Sequence, residues 1–481
     1  MRPVLTPAEM AAVDARAIAS GTPEAVLVER AAAAVAAHAR RLLGGVYGRR
    51  VVVVCGKGNN GADGQVAARM LRAQGVGVNV CQLADDARTF ERAAARADLA
   101  IDAMFGTGFR GELQGRAAAI AGALTALPTL AVDIPSGIDG TTGAARGAAV
   151  RADETICFAA FKSGLLLEPG RSHAGRVQIA DIGLAPGTTR LHVLDVADLF
   201  LPSRAENSHK WTSGLLVVGG STGMFGAPLM ASHAASRCGA AMVVCGLPGA
   251  EAAARASGAE IVTRALPATA DGALDERAAD EMLKGIDRFH AVAIGPGLGR
   301  DVRTQHAVRR VVADCPTPLV VDADALNALG ADPTPLQARR AAGRPPAILT
   351  PHAGEYARLA GAAVGPDRVE AARDLARRSD AIVLLKGPGT VIADPDGNAV
   401  INHTDLPALA TAGTGDVLTG IIGGLLANGA APFVAAATGA YVHGRAAYAA
   451  GTAPDLVATD LLGALHPTLD ALRSGVDPWD D

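Results

Sequence analysis

Val51-Val-Val-Val-Cys55 runs straight into Gly56-Lys-Gly-Asn-Asn-Gly-Ala-Asp-Gly64, and a helix-length segment from Gln65 to Gln74 follows. A β-branched run, a glycine-rich polar turn and then a helix is the strand–turn–helix grammar of an α/β sheet. Working outward, Val76 to Leu83, Leu99 to Met104, Thr129 to Ile134 and Thr155 to Phe158 supply further strands, separated by helix-length segments. Before it, the first 45 residues read as helices, most clearly from Ala25 to Leu43. This half is predicted to be Rossmann-like, with ligand-binding turns at the ends of its strands.

At 481 residues the chain is too long for one ordinary domain, since a domain averages roughly 150 residues. Periodicity weakens between Asp181 and Ser213, where Gly183, Pro186, Gly187 and Pro202 fall, so the boundary is set between residues 203 and 204. A second α/β pattern then runs to about residue 475. Leu215 to Gly220, Ala241 to Cys245, Ala291 to Gly297, Pro318 to Asp322, Ala347 to Thr350 and Ala381 to Leu385 are near-continuous apolar runs, as expected of parallel strands buried on both faces.

Composition narrows the function. A net charge of −4 leaves no electrostatic footprint for nucleic acid, so anionic ligands must be held locally. The six cysteines show no metal-ligand spacing and read as reduced core residues. No signal core or membrane span is read, and a cytoplasmic homo-oligomer is expected. Only five of the 44 basic residues are lysines, and four of these lie in or beside glycine-rich turns, where a flexible ammonium is wanted.

In the first half, side-chain oxygens at Asn59, Asn60 and Asp63 suit a hydrated cation or hydroxyls better than a bare phosphate. Asp102, and Asp133 with Ser136, follow two other strands, so three strand ends converge on one crevice. Asn59-Asn-Gly-Ala-Asp63, Asp102-Ala-Met-Phe-Gly-Thr-Gly108 and Val132-Asp-Ile-Pro-Ser-Gly137 together resemble the motifs of the NAD(P)H-hydrate epimerase family, the YjeF N-terminal domain, over about residues 1 to 200. The resemblance implies a three-layer sandwich and a K⁺ ion on Asn60, Asp102 and Ser136. It also implies that the substrate meets the loop Asn59, Asn60, Gly61, Ala62, Asp63, the loop Gly106, Thr107, Gly108, Phe109, Arg110, Gly111, Glu112, and Asp133 as acid/base. Lys162 falls on a motif position, and Ala62 replaces an expected glycine, a strained choice if that position needs a positive φ.

In the second half, Gly413-Thr-Gly-Asp416 opens an apolar helix whose free N–H groups and positive dipole end can hold an anion while Asp416 takes a proton. Lys386-Gly-Pro-Gly-Thr390 is a second nucleotide-type turn, too short for a Walker A motif. Asp322-Ala-Asp-Ala-Leu-Asn327 offers either a Mg²⁺ site or a helix N-cap. His352 ends another strand, with Glu355 placed to support its loop.

The order of these turns resembles the ADP- or ATP-dependent NAD(P)H-hydrate dehydratase family, of ribokinase-like fold, over about residues 205 to 470. It implies that Ala227, Gly297, His352 and Asp416 meet the hydrated dinucleotide. Lys386, Gly387, Pro388, Gly389, Thr390 and Gly415 would meet the nucleotide donor, ADP accompanied by Mg²⁺. Trp211 stands where glycine is more usual, which leaves Lys210 without an assigned role.

The chain thus reads as an epimerase domain, 1–203, fused to a dehydratase domain, 204–475, both acting on hydrated NADH or NADPH. The alternative is a vitamin or sugar kinase joined to a non-catalytic binding module.

Overall fold

Val51, Val52, Val53 and Val54 are all fully buried, because the strand Arg50–Cys55 lies inside a six-stranded sheet with helices on both faces. Alternate side chains serve opposite faces. Val51 and Val53 pack with Val35, Ala39 and Leu71 of the helices Glu24–Leu43 and Asn59–Ala73. Val52 and Val54 pack with Phe90, Ile120 and Leu124, from Ala87–Ala94 and Gly115–Leu124. The strand order is Gly77–Gln82, Arg50–Cys55, Leu99–Ala103, Thr129–Val132, Glu154–Phe158, Arg176–Ala180, all parallel. This is the expected Rossmann-like three-layer sandwich.

The computed structural model describes residues 1–255, 260–404, 406–475 and 477. The chain divides between His192 and Val193 into two compact units, rather than at 203/204. The intervening segment weakens in periodicity but carries Leu194, which is in the core of the second unit, and Val196, Leu199, Phe200 and Leu201, which pack against that core.

The sheet of the second unit has the parallel order Val262–Leu266, Met242–Pro248, Gly214–Val218, Ala291–Ile294, Leu319–Val321, Ile348–Leu349, Ile382–Leu385. An antiparallel hairpin, Val391–Ala393 and Ala399–Ile401, extends it. The helices Gly226–Arg237 and Thr414–Ala427 cross closely, since a Cβ on Gly420 would lie 2.0 Å from the Ala231 carbonyl oxygen. Among the described residues no helix is long and apolar enough to cross a membrane.

Candidate active sites

In the first unit the chain lays down Arg50–Cys55, moves out to Gly77–Gln82, then returns to the other flank of Arg50–Cys55 with Leu99–Ala103. The connections therefore diverge beyond Cys55 and Ala103, and ligands of open α/β sheets bind at such a point. A cavity of about 520 Å³ opens there, walled by Asn59, Asn60, Asp63, Gly106 to Phe109, Asp133 and Lys162. The turn that forms it is folded tightly on itself: a Cβ on Gly61 would sit 2.0 Å from the Gly56 oxygen. Ala62 is not among the residues with positive φ, and its N–H donates to the Gly58 oxygen at 3.1 Å in the first helical turn. The substitution carries no strain. The cavity lining stops at Phe109, while Arg110 folds back to donate to the Thr107 and Phe109 oxygens at 3.0 and 2.7 Å.

Asn60 is only 8% exposed, and neither polar atom of its amide has a hydrogen-bond partner. Asp102 is fully buried and accepts from the Ser136 N–H at 2.8 Å, the Ser136 hydroxyl at 2.7 Å and the Met104 N–H at 3.1 Å. Burial still pushes its carboxyl up to about 6 against those bonds. The Phe105 N–H donates to Ser136 Oγ at 3.0 Å, which ties the Asp102 and Ser136 loops together.

Asp133 leaves its strand at φ 65°, and its carboxylate accepts from the Lys162 ammonium at 2.7 Å. Lys162 is fully buried and also donates to the Phe158 oxygen at 2.8 Å. Burial opposes its charge, but Asp133 and its other partners outweigh that and hold the ammonium above its ordinary pKa. Asp63 is pushed up to about 8 by burial and by the nearby Asp133 and Asp14. Asp14, on the helix Pro7–Ala19, lines the same cavity. Sequence reasoning missed it because it belongs to no strand-end turn.

The second unit repeats the logic at the other sheet. Gly214–Val218 and Ala291–Ile294 flank the reversal of strand order, and the turns after them interlock. The Gly220 N–H donates to the Pro296 oxygen at 2.8 Å, and the Ser221 hydroxyl to the Gly297 oxygen at 2.9 Å. Gly297 has φ 68°, and a Cβ there would lie 3.5 Å from Ala227 Cβ, so these two expected contacts are neighbours. Asp416 is half-buried in the first turn of Thr414–Ala427, behind Gly413 at φ 88°. Burial, then Asp322 and Asp324, push it up to about 7 against the pull of Lys386.

Lys386 donates to Asp322 at 2.9 Å and lies 4.0 Å from Glu355. A Cβ on Gly415 would be 3.5 Å from its ammonium, so Lys386 stands in van der Waals reach of the helix start. Arg368 braces the Lys386 to Thr390 turn from behind, donating to the Lys386 oxygen at 3.1 Å. His352 caps the helix Ala353–Ala360: its Nδ1 accepts from the Gly354 N–H at 2.9 Å, while Glu355 accepts from the His352 N–H at 2.9 Å. With Nδ1 an acceptor, the proton of a neutral ring sits on the exposed Nε2.

The Mg²⁺ option at Asp322 to Asn327 does not hold. Asp322 is buried and already accepts from Lys386, Thr350 and Thr419; Asp324 accepts from the Gly299 N–H at 2.9 Å; and Asn327 accepts from Arg358 at 2.7 Å. The N-cap option also misses, since the cap of Asp324–Leu329 is Ala323, with no side-chain bond. Trp211 packs edge-on to Phe289 under Arg288, before the strands Gly214–Val218 and Ala291–Ile294. Lys210 is thus at the sheet edge opposite the site. A second missed residue, His443, lies inside the helix Pro432–Ala450 with Nε2 buried and unpartnered; burial drives its pKa down to about 4.

Two family models match the chain. One, NAD(P)H-hydrate dehydratase, covers residues 215–466, and the other, YjeF-related protein N-terminus, covers 24–96 and 85–164. Similar proteins include bifunctional NAD(P)H-hydrate repair enzymes of Moorella thermoacetica, 40% identical over 98% of both chains, and of Salinibacter ruber, 39% identical over 98% of this chain and 97% of that one. Among solved structures, the ADP/ATP-dependent NAD(P)H-hydrate dehydratase of Bacillus subtilis, co-crystallised with ATP/Mg²⁺, is 31% identical, covering 56% of this chain and 94% of that one, with a TM-score of 0.46.

Proposed function

This chain belongs to the bifunctional NAD(P)H-hydrate repair enzymes, and within that family we propose the following division of labour among its residues. The first domain, up to His192, interconverts the R and S forms of the hydrated nicotinamide nucleotide. The second domain, from Val193 on, returns the S form to NAD(P)H, using ADP and releasing AMP and phosphate. Six free, buried cysteines support a reducing, cytoplasmic setting.

Asn60, Asp102 and Ser136 fit K⁺: the set is all oxygen, and the Asn60 amide is buried without a partner. A cation held there would supply positive charge next to the substrate. Asp133 acts as the acid/base of the epimerisation, moving a proton as a bond to the hydroxyl-bearing carbon opens and re-forms on the other face, and Lys162 holds its carboxylate in place. Asn59, Asp63 and Gly106 to Phe109 wall in the substrate. Gly61 shapes the turn from behind, while Ala62 and the segment Arg110, Gly111, Glu112 are left as outer contacts.

In the second domain Ala227, Gly297 and His352 orient the S hydroxyl. Asp416 takes its proton as the hydroxyl oxygen attacks the terminal phosphoryl group of ADP, and AMP departs. The Gly413 to Gly415 amides and Lys386 to Thr390 hold the phosphates. The C6–O bond of the phosphate ester then breaks with the ring nitrogen's lone pair in support, phosphate departs, and loss of a proton from C5 restores the C5–C6 double bond of the reduced nicotinamide. Mg²⁺ accompanies the nucleotide phosphates, and no protein ligand is assigned to it.

The observation that carries this reading is Asp416 in the first turn of a glycine-opened helix, with the Lys386 ammonium against Gly415. Incubation with hydrated NADH and ADP tests it. The absorbance of the reduced nicotinamide should recover as AMP and phosphate accumulate in equal amounts. Stable phosphorylation of another alcohol, with no recovery of absorbance, would overturn it.

A further inference from the structure

Asp322 is 1% exposed, and its carboxylate is held by three hydrogen bonds. One oxygen accepts from the Thr350 hydroxyl at 2.7 Å and the Lys386 ammonium at 2.9 Å, and the other accepts from the Thr419 hydroxyl at 2.6 Å. Those partners come from three separate elements. Thr350 follows the strand Ile348–Leu349, Lys386 follows Ile382–Leu385, and Thr419 lies on the Asp416 helix, three residues beyond the base. A carboxylate walled in this way cannot reach the substrate, but it can decide where Lys386 stands.

We propose that Asp322 is a positioning residue of the dehydratase site: it fixes the Lys386 ammonium beside Gly415 and keeps it there as half of an ion pair instead of a free cation. The inference rests on Lys386 facing the nucleotide donor. A lysine on its four-carbon stem is otherwise a mobile point charge, and a donor aimed in advance at the developing phosphate charge avoids reorganisation during the reaction.

The pairing has a second consequence. Around Asp416 stand Asp322, Asp324 and Lys386, while Lys386 is itself flanked by Asp322, Glu355 and His443. Asp322 and Glu355 offset the lysine charge, so Lys386 can meet a phosphate oxygen without stripping Asp416 of its basicity.

A double-mutant cycle in the full chain tests this, with Asp322→Asn, Lys386→Met and the double variant assayed for NADH recovery from the S hydrate and ADP. Each single change should lower kcat on the order of 10²-fold, the scale of removing one preorganised donor. The double variant should be no worse than Lys386→Met alone. Asp322→Asn should also move the acid limb of the kcat profile to lower pH, which loss of packing would not do. Thr419→Val keeps the charge and removes one donor to Asp322; it should lower kcat several-fold while the melting temperature stays close to wild type.

A folded Asp322→Asn with wild-type kcat and profile would overturn the proposal, as would single losses that multiply in the double variant. Should Asp322→Asn fail to fold, Thr419→Val at the wild-type rate would do the same. Full activity in Lys386→Met would remove the reading of Lys386 itself, and this inference with it.

Discussion

Asp416 and Asp133 are the same side chain set to different work by their neighbours. Asp416 sits among other carboxylates and is pushed up to about 7 by burial, Asp322 and Asp324. A base must be ionised to accept a proton, so dehydration should slow about tenfold per pH unit once the pH drops well below about 7. A rate–pH profile of the S hydrate with saturating ADP checks this, and a flat profile down to pH 5 would speak against Asp416 as base. Asp133 instead leans on the buried Lys162 at 2.7 Å. Lys162→Met leaves that carboxylate without its counter-charge, and losing one partner of a buried ion pair costs roughly 3–5 kcal/mol. Denaturant unfolding of the variant should show a loss of that order, and epimer exchange should fall with it. Both aspartates were legible as residues at strand or helix ends. Their environments were not, because Lys162 and Asp322 reach them through the fold.

At the scale of elements, glycines set how closely helices and turns approach the chemistry. The Thr414–Ala427 helix lies against Gly226–Arg237 only because Gly420 has no side chain, a Cβ there falling 2.0 Å from the Ala231 oxygen. Gly420→Ala should push the helices apart, costing about 1–3 kcal/mol. It should also lower dehydration while leaving epimer exchange untouched; a melting curve and paired assays decide it. Central strands such as Arg50–Cys55 and Gly214–Val218 were readable because both faces are buried, which forces continuous apolar runs. The sheet-edge strands Arg176–Ala180 and Val262–Leu266 were not, since their exposed residues interrupt the pattern. Asp322 was misread as a metal ligand or cap for a related reason: its true partner, Lys386, is 64 residues away in the chain. Asp14 and His443, inside helices, carried no local signal.

At the scale of the whole molecule, two sheets carry two sites, each at its own reversal of strand order, in a chain of a bifunctional family. On the proposed division of labour the dehydratase site takes the S form and the epimerase site converts R to S, so the first domain feeds the second. The chain supplied with pure R-hydrated NADH and ADP tests this most directly, as wild type, Asp133→Asn and Asp416→Asn. Wild type should convert the R form to NADH. Asp133→Asn should stall on R while still consuming S, and Asp416→Asn should exchange R and S freely without releasing NADH. Loss of both activities in either folded variant, or NADH from the R form in Asp133→Asn at the wild-type rate, would contradict two separate sites acting in sequence.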